Sequence, residues 1–69
     1  MEVIQEVQNT LIRLGWLNDT KDFHPGIYDD VTRRAVIDYQ RYINDTQDQV
    51  LNETGELDAR TLLWVRWVN

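Results

Sequence analysis

Apolar residues return at three- and four-residue intervals in three stretches of this chain, and polar, turn-forming segments separate them. In the first stretch Ile4, Val7, Leu11 and Leu14 fall on one face, so the spacing predicts a helix from Glu2 to Leu14. Glu2 and Glu6 suit its positive end. Gly15 follows the last periodic leucine, where a residue of positive φ commonly ends a helix, and Trp16 and Leu17 can then fold back on the core. Asn18 to Gly26 is polar and punctuated by His24-Pro25-Gly26, which reads as a loop. A second helix is predicted from about Asp30 to Ile43. Val31, Ala35, Val36, Tyr39, Tyr42 and Ile43 share one side of it, and Arg33, Arg34, Asp38 and Arg41 the other. Asn44 to Thr54 reads as a second polar loop, and a third helix is predicted from about Ala59 to Val68.

A short repeat sits at the start of the second and third helices. Gly26-Ile27-Tyr28-Asp29-Asp30-Val31-Thr32 and Gly55-Glu56-Leu57-Asp58-Ala59-Arg60-Thr61 share Gly, any residue, an apolar residue, Asp, two variable residues and Thr. Gly turns the chain, the apolar residue plugs the core, and Asp caps the new helix by accepting an N–H of its first turn. Thr follows where its hydroxyl can support the turn. Gln8 and Gln40 stand on or beside apolar faces, where each suits either a ligand contact or bonds to loop carbonyls and N–H groups that pin the turns.

The third helix has a different pattern. Leu62 and Val65 can face the core, while Leu63, Trp64, Trp67 and Val68 spread round the rest of the circumference. A helix apolar on nearly all sides is normally buried, and two partner helices cannot enclose it. An apolar interaction patch at Trp64 and Trp67 is therefore expected, facing another domain, a second copy or a ligand.

The chain's 69 residues allow a single domain, 1–69. A domain of this size buries only about 60% of the surface its unfolded chain exposes, so a deep catalytic cleft is hard to build. Twelve acidic residues against seven basic ones give a net charge of −5, opposite to the basic footprint of a nucleic-acid binder or of a protein held at an anionic membrane. There is no apolar run of membrane-spanning length and no stretch with the character of a secretory signal.

With no cysteine and no serine the usual activated nucleophiles are missing, and no cofactor or metal is expected. His24 reads as a solvated loop residue without an evident partner. Asp45 to Glu56 has the span of a calcium loop, but Val50 stands where that loop needs Gly. Three Asn-x-Thr sequons, at Asn18, Asn44 and Asn52, bear on a glycosylating pathway alone.

The ordered set of motifs resembles the peptidoglycan-binding domain family of three-helix modules. Ile4, Val7-Gln8, Leu11 and Gly15-Trp16 are similar to the family's first helix. The two Gly-to-Thr segments are similar to its turns, and Ala35-Val36 with Tyr39-Gln40 to its second helix. The chain departs from the pattern at Pro25 and Thr54, where an Asp commonly precedes each turn glycine, and at Asp29 and Asp58, where the family usually has Gly.

The resemblance implies an all-α, compact three-helix bundle with two long connecting loops. It also implies a non-catalytic module that targets a cell-wall hydrolase to peptidoglycan, working outside the cell, in a periplasm or in the wall as part of a longer exported protein. The expected partners are the glycan or stem peptide and an adjacent catalytic domain. Trp16 and Tyr28 suit either a sugar face or the core. Arg33 and Arg34 suit either a stem-peptide carboxylate or a solvated helix face. The alternative is a protein-interaction module that keeps the frame and uses the patch on the third helix.

Overall fold

A computed structural model of the protein describes residues 3–18 and 23–67. Three helices form the described part: α1 (Val3–Leu14), α2 (Asp30–Gln47) and α3 (Ala59–Trp67). The expected helix ends at Glu2 and Val68 lie outside the described residues. α1 packs against both other helices, which meet each other less closely. Val7 and Leu11 of α1, Ala35, Val36, Tyr39 and Ile43 of α2, and Val65 of α3 form the buried core with Leu17 and Leu51 from the loops. Each helix thus contributes its apolar stripe, and dispersion and water release hold the three together.

The ends of the helices follow from local chemistry. At Gly15, φ is +91°, and the N–H groups of Trp16 and Leu17 return to the Leu11 carbonyl at 2.8 and 3.2 Å. That reversal delivers Leu17 to the core. Asp29, in extended conformation, caps α2 by accepting the Thr32 N–H at 3.1 Å. Asp58 does the same for α3, accepting from Thr61 N–H at 2.9 Å.

The sequence pattern stops α2 about a turn too early. Asn44 to Gln47, read above as loop, continue the helix, and Asp48 ends it in the left-handed region at φ +55°. Asn44 and Thr46 are poor helix formers, but their side chains find partners here. Thr46 Oγ1 donates to the Tyr42 carbonyl at 2.8 Å. Asn44 Oδ1 accepts the Leu51 N–H at 2.6 Å while its amide donates to the Leu51 carbonyl at 3.0 Å. This clasp folds the following loop back and drives Leu51 into the core, although Leu51 lies outside every predicted helix.

The two repeated turns are held by the two glutamines, both fully buried. Gln8 Nε2 lies 3.1, 3.0 and 2.9 Å from the acceptors His24 O, Ile27 O and Thr32 Oγ1, and Gln8 Oε1 accepts the Gly26 N–H at 2.7 Å. Gln40 repeats the arrangement one helix later. Its Nε2 donates to Glu56 O at 3.0 Å and Thr61 Oγ1 at 2.9 Å, and its Oε1 accepts the Gly55 N–H at 2.9 Å. In each case an amide on one helix satisfies the turn that launches the next, and the hydroxyl of the repeat's Thr completes the set.

A buried polar group left without a partner costs ~1–3 kcal/mol. Gln40→Leu strands the Gly55 N–H, the Glu56 carbonyl and the Thr61 hydroxyl, so a loss of about 2–4 kcal/mol is expected in urea unfolding. A 69-residue domain has a total of about 3–10 kcal/mol to lose. A shift below about 0.5 kcal/mol would show that the amide is dispensable.

Gly26 and Gly55 share a positive φ, +80° and +81°, but not their surroundings. A Cβ on Gly55 would lie 2.6 Å from Arg33 Cγ and 3.2 Å from the Arg33 carbonyl oxygen, whereas a Cβ on Gly26 would meet none of the described residues within 4 Å. Gly26→Ala should cost only the left-handed backbone penalty of ~1–2 kcal/mol. Gly55→Ala should cost measurably more in the same thermal unfolding experiment, and equal melting points would contradict this packing.

Candidate functional site

The residues singled out in the sequence separate into two neighbourhoods. Trp16 emerges from the Gly15 turn, half-buried, and its ring meets Tyr42 at 5.2 Å and Tyr39 at 6.2 Å between centroids. Among the described residues, three depressions border it. One, about 370 Å³, lies between the C-terminal halves of α2 and α3 and the end of α1. Tyr39 and Ile43, both buried, form its floor; Leu14, Trp16, Tyr42, Gln47, Trp64 and Trp67 line the rest. The Tyr39 hydroxyl donates to the Trp64 carbonyl at 3.1 Å, which ties α3 to α2 at the groove. The sequence reading kept Trp16 apart from the Trp64–Trp67 patch; the fold brings them into one surface.

On the other flank of Trp16 lies a shallow depression of about 260 Å³, lined among others by Asn18, Val31, Arg34 and Asp38. A third, of about 270 Å³, carries Asp38, Arg41, Tyr42 and Asp45 beside the same indole. The exposed face of α2 next to Trp16 thus alternates in charge: Arg34, Asp38, Arg41, Asp45. Arg41 is drawn toward Glu53, 3.4 Å away. Glu53 is held below the usual carboxylate range, first by the Asn44 amide and then by Arg41.

Tyr28 and Arg33 belong to the second neighbourhood, beside the turn at Gly55. Arg33 lays its aliphatic stem against Gly55. Tyr28 is half-buried against the core, and its hydroxyl is buried with no hydrogen-bond partner among the described residues. Burial pushes that phenol up to about 12, with the Arg33 charge pulling the other way. Tyr28 is therefore foremost a core plug, and neither it nor Arg33 lines the groove around Trp16.

His24 differs from expectation, because it does have a partner. Its Nδ1 lies 2.8 Å from Asp29 Oδ2 while the ring stays exposed. That hydrogen bond, ahead of the one from Thr32 N–H, holds the Asp29 carboxyl below its ordinary range. The pair sits at the α2 cap and serves the turn.

α3 presents its apolar side outward as the pattern predicted. Trp67 is 80% exposed and Leu63 68%, while Trp64 is half-buried. The exposed groove residues Tyr42 and Gln47 were missed by sequence reasoning. Tyr42 falls on the apolar side of α2 without being singled out, and Gln47 lies beyond the predicted helix end. The signal for Tyr42 was its place at the edge of the stripe, where a phenol can keep its polar end in water.

Tyr28 supplies a test of its own burial. An unfolded tyrosine titrates near 10, and this one near 12 in the folded state. The stability that comes from keeping Tyr28 protonated is complete below about pH 10 and is lost as pH rises through the folded value. Tyr28→Phe removes that loss, leaving the part due to Tyr39, whose pKa burial also raises. Urea unfolding at neutral pH and at about pH 11 should show a smaller alkaline drop in the variant. Equal drops would mean that the Tyr28 hydroxyl is solvated.

A family model described as "Putative peptidoglycan binding domain" matches residues 1–64. Neither a curated protein nor a solved structure matches the chain. The match runs from the start of α1 well into α3 and takes in both pinned turns. The chain belongs to the peptidoglycan-binding domain family.

Proposed function

We propose that this domain is a non-catalytic module that binds peptidoglycan and carries an attached hydrolase to it in an extracellular, periplasmic or wall compartment. Family membership supports the wall polymer as ligand. The observation that carries the reading at the level of residues is the placement of Arg34 and Asp38 beside the Trp16 indole in one open depression. Stem peptides present carboxylates and amino groups at close spacing. A guanidinium takes a carboxylate in a two-pronged hydrogen bond, Asp38 can accept from an ammonium, and the indole covers the aliphatic part between them. In this reading Arg34 and Asp38 hold the stem peptide and do no chemistry on it.

A second reading has its own support. The outward face of α3, with Leu63 and Trp67 exposed, suits a protein partner. In that case the family frame would persist without wall recognition.

Purified domain mixed with insoluble sacculi distinguishes the two. The wild type should be retained at low and moderate salt. Arg34→Ala and Asp38→Asn, on the solvent face of α2, should each weaken retention about fivefold, in line with the ~1 kcal/mol of an exposed charged contact. Trp16→Ala should weaken it further, with circular dichroism to verify the helices. Failure of the wild type to be retained at either salt would refute wall binding and leave the protein-interaction reading. Release of muropeptides by the domain alone would refute its non-catalytic role.

A further inference from the structure

We infer that the groove between α2 and α3 is a second subsite, one that holds the neutral glycan strand of peptidoglycan while the depression beside Arg34 takes the charged peptide. This inference rests on the wall-binding reading and extends it to residues of α3.

The chain carries a net charge of −5, yet among the described residues lining this groove none is ionisable as a carboxylate or a base. A stem peptide seated here would leave its charged groups desolvated and without partners, which is costly. A second copy of the chain would bring its own −5 toward an acidic surface, against electrostatic repulsion. A chain of N-acetylated sugar rings meets neither obstacle. Its rings present an apolar C–H face and a polar rim, and no charge.

The side chains match that pattern. Trp16, Tyr42, Trp64 and Trp67 offer aromatic faces with a polar edge on each ring. Gln47 stands exposed at the end of α2 with an amide that can both donate and accept, as hydroxyl and acetamido groups require. The volume, about 370 Å³, falls in the range of small-ligand sites, roughly 300–1,000 Å³. The walls are also set in advance. Tyr39 ties α3 to α2 at Trp64, and Trp16 is braced edge-on against Tyr39 and tilted against Tyr42. Little side-chain freedom has to be lost on binding at those rings, which favours affinity. Trp16 borders both depressions, so a single indole would sit between sugar and peptide where the stem joins the strand.

The test uses tetra-N-acetylchitotetraose (chitotetraose below) as an uncharged probe, titrated into the domain and followed by amide chemical shifts. Wild type and Asn9→Ala, an exposed position of α1 outside the groove lining, should bind it alike. Trp67→Ala should bind about tenfold more weakly, the loss of one stacked ring. Its indole is 80% exposed, so the fold should survive. Gln47→Ala, on the same rim, should lose about threefold, one hydrogen bond. Shifts should gather on Tyr42, Trp64 and Trp67. If sacculi retain the wild type but chitotetraose produces no shifts, the glycan subsite is wrong and wall binding stands. Full chitotetraose affinity in both variants also overturns the subsite. If sacculi do not retain the wild type, the reading beneath it fails first. Sedimentation of a wild-type dimer that Trp67→Ala dissociates and chitotetraose leaves intact would assign the groove to self-association and overturn the inference.

Discussion

The Gln8 side chain is completely buried, and its amide spans from α1 to the turn that launches α2, meeting the backbone of His24, Gly26 and Ile27 and the hydroxyl of Thr32. Gln40 performs the same task between α2 and the turn before α3. An α-helix satisfies its own backbone internally, but a tight turn pressed against a core does not. Without a side chain reaching across, the N–H groups of Gly26 and Gly55 would be left to seek water. Each amide resolves that conflict with a donor and an acceptor on one planar group. The arrangement ties local structure to tertiary structure, because neither turn is complete until the preceding helix is docked.

That dependence explains how so small a domain holds two long connections. Loop residues ordinarily lose conformational entropy without burying enough surface to offset it. Here each connection is fixed at few points: the Gly15 reversal and the Gln8 clasp in the first, the Asn44–Leu51 clasp and the Gln40 clasp in the second. The departures from the family pattern at Pro25, Asp29, Thr54 and Asp58 are absorbed in the same way. The two aspartates act as helix caps, and the residues before each glycine lie outside the amide's hydrogen bonds.

Much of this frame was legible in the sequence because it is repeated in the sequence. Helical periodicity located all three helices, and the Gly-to-Thr repeat located both turns and both caps. The role of Gln8 and Gln40 followed from finding an amide on an apolar face. What escaped depended on partners distant in the chain or on weak local signals. The last turn of α2 contains Asn44 and Thr46, which favour loops until Leu51 and Tyr42 supply their hydrogen bonds. Leu51 carries no periodicity of its own. His24 and Asp29 are five apart across a turn whose shape the composition did not reveal. The candidate site was legible only as separate pieces. Trp16 and Trp67 lie at the ends of different helices, and only the packing of α1 between α2 and α3 makes them neighbours.

The geometry also separates what holds the fold from what faces outward. Both glutamine clasps lie at helix N-terminal turns, whereas the aromatic groove is built from helix C-terminal halves. Tyr39 and Gln40, adjacent in sequence, divide these tasks: Gln40 secures the turn before α3, and the Tyr39 hydroxyl holds the far end of α3 by the Trp64 carbonyl. A short helix held near both ends can carry exposed apolar rings without reorienting to bury them. This accounts for Trp67 remaining 80% exposed in a domain whose core could gain from an indole. The exposed rings are therefore compatible with a stable fold because α3 is already fixed, and the surface they form can diverge in recognition while the pinned frame stays the same.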